Sequence, residues 1–247
     1  MIFTIAAKEL RSLFGSPLAW VILAVLNAVI AYIFLLQIDA FNAIQSQLAQ
    51  LTNAPGITEI IVAPLFGSIV IVLLMVTPLL AMRLIAEERR HRTLTLLLSA
   101  PISMTEIVLG KFLGLFLFLC SVIALTLLMA LSLYAGGTLD LGLIAANLAG
   151  TILLAASFTA IGLYISSLTS HPVIAAIGSL GALLGLWVVG MAGSEPDNLL
   201  VQLSLIKHFE SFNKGLIDSG DVAYFLLCIG LFLVLAVRRL DQDRLRG

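Results

Sequence analysis

Apolar residues in this chain do not alternate with polar ones; they run on for about twenty positions before a charge interrupts. Apolar runs beyond about 18 residues are long enough, at 1.5 Å per residue, to cross a hydrocarbon layer of about 30 Å as helices. Six spans are predicted: 18–38, 60–82, about 107–134, 141–168, 173–193 and 222–237. The last is the weakest, with sixteen residues between Asp221 and the Arg238–Arg239 pair. In lipid, backbone amides must be satisfied within the spanning structure, so helices or a closed barrel are the options, and continuous runs without strict alternation choose helices. The expected fold is an all-α polytopic membrane protein.

Composition agrees: 61% of the residues are hydrophobic and 11% charged, against about 25% charged in soluble domains, and the mean hydropathy is +1.14. The two cysteines, Cys120 and Cys228, fall inside apolar runs and read as small buried hydrophobes. The first apolar run follows Lys8 and Arg11 but is longer than a signal-peptide core, which predicts an uncleaved first span.

Charge placement sets the expected orientation. Lys8, Arg11, Arg83, Arg89, Arg90, Arg92, Lys111, Arg238, Arg239, Arg244 and Arg246 fall on one side, eleven of the thirteen lysines and arginines. Lys207 and Lys214 fall on the other, with eight acidic residues. By the positive-inside rule both termini are cytoplasmic and the number of spans is even. Residues 1–17 place Ile2, Ile5, Ala6, Leu10 and Leu13 near helical spacing, with Lys8 and Arg11 off that stripe and Glu9 in the same segment. That predicts an amphipathic interfacial helix before Pro17; a simple extension of span one is the alternative. Residues 39–59 are polar and Gln-rich. Within 194–221, Leu199, Leu200, Leu203, Leu205, Ile206 and Phe209 predict one or two short helices on the outer surface.

Enzyme chemistry finds no support. No HExxH, no metal-spaced histidine pair and no GxSxG occurs, and Gly110-Lys111-Phe112 lacks the remaining positions of a P-loop. The pair Asp218/Asp221 reads as a solvated cap of span six. No ionisable residue lies centrally in a span, whereas ion-coupled carriers need such groups. Energy for any uphill transport is therefore expected from another polypeptide. Small residues at four-residue spacing, Gly110/Gly114 and Gly181/Gly185, permit close helix approach, as packing or as a dimer interface.

The exception to this charge avoidance is Glu87-Glu88-Arg89-Arg90-His91-Arg92, directly after span two. Glu87 and Glu88 suit the start of a helical element carrying Leu94, Leu96, Leu97 and Leu98; the arginines do not suit that dipole end. Pro101 ends the segment, and Ser103-x-x-Glu106 is a capping box for span three. Three readings compete: an orientation anchor, a site for anionic headgroups, and a docking surface for a soluble partner. Adjacent charges of both signs beside an apolar portion favour docking.

Glu-Glu-Arg, a Thr-x-x-x-Leu-Leu from Thr93, a proline, and then "EIVLGKF" resemble the permeases of ABC type-2 transporters. Within them the chain is similar to the gliding-motility GldF-like group, with the nitrous-oxide-reductase maturation permeases (NosY) as relatives. "KELRSLFGSPLAW" resembles their N-terminal cytosolic helix, and "HFESFNKGLIDSGDVAYF" their segment before the last span, so the likeness covers nearly the whole chain. It implies a single ABC type-2 transmembrane domain over 1–247 in a bacterial inner (plasma) membrane. The implied partners are a second permease copy or paralogue, two copies of an ABC ATPase, membrane lipid and an accessory periplasmic or membrane subunit, with no nucleic acid. ATP and Mg would belong to the ATPase, none to this chain. The segment 83–106 would be the coupling element, with Glu87, Glu88, Arg89, Arg90, Arg92, Thr93, Leu96 and Leu97 as contacts. Members often carry Gly-Thr where this chain has Arg92-Thr93, which puts the role of Arg92 in question. An ATP-independent membrane scaffold or assembly factor is the alternative from another class.

Overall fold

The computed structural model describes residues 1–48, 55–91, 93, 102–135, 138–191 and 202–246. Among them there are helices and no strands. Helix α1 covers Ile2–Gly15. Six helices long and apolar enough to span a membrane follow: α2 (Pro17–Leu48), α3 (Thr58–Arg90), α4 (Met104–Ser132), α5 (Leu141–Leu168), α6 (Pro172–Met191) and, after the short α7 (Leu205–Asn213), α8 (Ser219–Arg246).

Local sequence explains most helix ends. The Ser103 hydroxyl accepts the Glu106 amide at 3.2 Å while the Ser103 amide donates to the Glu106 carboxylate at 3.1 Å, so the expected capping box forms and starts α4. Asp140 caps α5 by accepting from the amides of Gly142 and Leu143. Two residues past the end of α7, Gly215 has a φ of +82°, which lets its amide donate to the Phe212 carbonyl and that of Leu216 to the Ser211 carbonyl. This pairing satisfies the last carbonyls of α7 and needs a residue without a Cβ clash.

Helix α5 is the hub. It packs against α3, α4, α6, α7 and α8, and 67% of its most apolar window is buried, against 22%, 17% and 11% for α2, α6 and α8. Small residues make this possible. A Cβ on Gly150 would stand 2.6 Å from the Phe212 Cβ, and one on Gly162 2.6 Å from the Ala81 Cβ. Residues such as Val25, Leu128, Ile177, Leu227 and Val234 remain exposed on the outer faces, as apolar helices in a bilayer require.

Two departures from the sequence reading stand out. The stretch at 83–90 does not begin a helix; it finishes α3, which continues past position 82 to Arg90. Arg89 and Arg90 then sit at a helix C-terminus, where the dipole favours cations, and the misfit noted for the arginines disappears. The glycine pairs also differ. Gly110 and Gly114 close on Ile5 and Glu9 of α1, whereas nothing lies within 4 Å of a Cβ at Gly181 or Gly185. Of the residues predicted in the segments above, Arg92, Leu94, Leu96, Leu97, Leu98, Pro101, Leu199 and Leu200 lie outside the described residues.

Gly150→Val overfills the α5–α7 contact, and such overpacking costs about 1–3 kcal/mol. Thermal unfolding in detergent should show a lowered midpoint, while Gly230→Ala, where no atom lies within 4 Å, should leave it close to wild type.

Candidate functional site

The described residues of the charged stretch lie at one end of the bundle, where α1, the end of α3, the start of α4 and the end of α8 converge. The last turns of α3 widen to π-helical geometry over Arg83–Glu87. Such turns are rare, and this one takes outside support for its backbone amides. Ser166, near the end of α5, supplies it. Its hydroxyl accepts from the amides of Ile85 and Ala86 at 3.2 and 3.1 Å and lies 3.3 Å from the Met82 carbonyl, to which it donates. The hub helix thereby fixes the base from which the charged turn projects.

Beyond that base, most of the charges are tied inward. Arg83 donates to Glu87 at 3.0 Å. Glu88 accepts from the Lys111 ammonium at 2.7 Å, and Glu9 of α1 accepts from the same ammonium at 2.8 Å. Lys111 is 1% exposed, so an ammonium lies buried between two carboxylates brought by two other segments. Arg89 pairs with Asp243 of α8, which Arg239 also approaches. Arg90 is exposed, and no hydrogen bond or ion pair to it is found among the described residues. Thr93, also exposed, donates its amide and hydroxyl to the Glu88 carbonyl at 3.0 and 3.2 Å.

Helix α1 seals one side. Ile5, Ala6 and Leu13 pack inward, while Lys8 and Arg11 are exposed. Its join to α2 is fixed by Trp20, whose indole N–H donates to the Phe14 carbonyl at 2.7 Å. Between α1 and the end of α3 lies a cleft of about 360 Å³ with Lys8, Glu9, Arg83, Glu87, Glu88 and His91 in its walls.

The structure therefore brings together Glu9, Glu87, Glu88, Arg89, Arg90 and Thr93. Lys8 and Arg11 stand at the margin; Arg92, Leu96 and Leu97 are outside the described residues. Sequence reasoning missed Lys111, Asp243 and Ser166 as members. Lys111 carried a signal, a lone cation opening an apolar span; Asp243 and Ser166 carried none.

Several hydroxyl side chains within the spans are satisfied locally. Thr126, Thr151, Ser157, Thr159 and Ser179 donate to carbonyls of their own helices. Asn147 reaches across to the Asn213 carbonyl and holds α7 to α5. At the opposite end His208 of α7 contacts Asp221 at 2.6 Å and the Gln202 carbonyl at 2.9 Å, against the face of Tyr224. Among the described residues no group of three or more His, Cys, Asp or Glu side chains is placed to hold a metal ion.

Residues 3–244 match the family described as ABC-2 family transporter protein, which covers almost the entire chain. No curated protein matches it.

Ser166→Ala removes the acceptor for two buried amides, and an unsatisfied buried group costs about 1–3 kcal/mol. Amide exchange at Ile85 and Ala86 should accelerate selectively; unchanged exchange there would mean that the widened turn does not depend on α5.

Proposed function

The chain belongs to the ABC-2 transporter family, and from that membership we propose that it is the permease subunit of an exporter driven by a separate ATPase docking at the charged end. Six apolar helices with a family match over nearly their whole extent make it a multi-pass membrane transport component. The docking reading rests on one observation. At this end Glu88 and Arg89 are used internally, while Arg90 and Thr93 face outward from a helix end braced by Ser166. Arg90 is thus the first candidate contact; Arg92, Leu96 and Leu97 are proposed beside it on the family likeness alone.

In this reading 1–247 is one type-2 transmembrane domain of the GldF-like group, with the NosY permeases as relatives. It lies in a bacterial inner membrane with both termini cytoplasmic, as the arginine and lysine distribution supports. Two ATPase copies carry the ATP and Mg, and a second permease copy or paralogue completes the membrane part, with an accessory subunit joining outside. Helix α1 is interfacial, and the exposed Lys8 and Arg11 meet lipid headgroups. The open Gly181/Gly185 face of α6 is available to a neighbouring helix.

The test is copurification. A C-terminally tagged chain is extracted in mild detergent, and its partners are identified by mass spectrometry beside Arg90→Glu and the Arg89→Glu/Arg90→Glu pair. An ATPase carrying a P-loop is expected with wild type and depleted at least about tenfold by Arg90→Glu, the loss expected when a central interface arginine is reversed. Retention by every variant would leave the complex standing and remove Arg90 from its interface. An ATPase absent from wild type would favour the scaffold alternative.

A further inference from the structure

We propose that Lys111, Glu9 and Glu88 form a positioning link that makes α1, the outer end of α3 and the start of α4 move as one body. A pull on the exposed end of α3 would then reach the membrane helices through buried charge. The source of the pull rests on the docking reading above; the link itself does not.

Glu88 faces both ways: its carboxylate holds Lys111 at 2.7 Å, while its carbonyl holds the amide and hydroxyl of Thr93. A displacement of Thr93 is thus one residue away from Lys111. Next, Lys111 lies in the contact between α1 and α4. Gly110 and Gly114 flank it, and a Cβ on either would stand 2.6 Å from Ile5 or Glu9, so the backbones meet with no slack. Finally, α1 is joined covalently to α2 but not to α4, and Glu9 lies 102 positions from Lys111. Close packing sets the distance between the two helices but carries no charge penalty when one shifts along the other. A buried ammonium shared by two carboxylates does carry one, because displacing either partner leaves charge unpaired away from water.

The roles of contact and link are separable by charge. A neutral triad, Lys111→Met with Glu9→Gln and Glu88→Gln, removes the link without leaving a lone buried charge. An inverted triad, Lys111→Glu with Glu9→Lys and Glu88→Lys, restores it with opposite signs. The readout is hydrogen exchange across Ile2–Gly15, first in the detergent-solubilised permease alone. The neutral triad should exchange α1 amides roughly tenfold faster, through easier local opening, and the inverted triad should return toward wild type. In the copurified complex, ATP with vanadate should alter exchange at both 83–93 and α1 in wild type and the inverted triad. In the neutral triad the change should stay within 83–93. If the neutral variant does not insert, Glu9→Gln, which leaves Lys111 paired with Glu88, carries the same comparison.

Unchanged α1 protection in the neutral triad, or an inverted triad that behaves like the neutral one, would overturn the link. Loss of the ATPase from the inverted triad, with α1 protection restored, would make Glu88 a direct contact and overturn its role as an internal positioning residue. An ATPase missing from wild type defeats the docking reading, while the first comparison, which needs no ATPase, still decides the link.

Discussion

Inside a bilayer, apolar side chains gain little by leaving lipid for one another, so the bundle depends on how closely its backbones can approach. Helix α5 is where that requirement is met. Gly150 admits Phe212 of α7, Gly162 admits Ala81 of α3, and Ser166 completes the hydrogen bonds of the widened turn at the end of α3. The two ends of the molecule are therefore referenced to one helix. A shift of α5 relative to α3 would disturb both the short helix α7 and the charged end.

The same constraint governs the charges. An ammonium near the apolar layer persists only with partners, and Lys111 has two, drawn from segments far apart in the chain. Arg89 and Asp243 add a second tie, between the ends of α3 and α8. Charge at this end consequently divides into an inner set that fixes helix positions and an outer set, led by Arg90, that is open to a partner. In the proposed reading, a permease driven from outside uses both: a surface for the partner, and a stiff connection behind it.

Several features were legible in the residues alone. Apolar run length gave six helices because the hydrocarbon thickness sets a minimum length that composition reveals directly. Ser103 and Glu106 announced their capping box because that motif closes within four residues. The dipole argument at Glu87 and Glu88 misled, since it presumed a helix start. The extension of α3 past position 82 to Arg90 is met by a hydrogen-bond partner, Ser166, eighty positions away, which no local signal announces.

What the sequence determined by itself was therefore the local and the additive: spans, caps, the charge imbalance between the two sides and the family likeness of its motifs. What only the tertiary structure decided was partnership. Gly110/Gly114 and Gly181/Gly185 have the same spacing, yet one pair receives α1 and the other remains open. Glu88 and Arg90 lie two residues apart, yet one is locked onto Lys111 and the other is exposed. The physical reason is that close packing and buried ion pairs depend on which helix faces arrive opposite one another. That is a property of the whole bundle, and no window of sequence contains it.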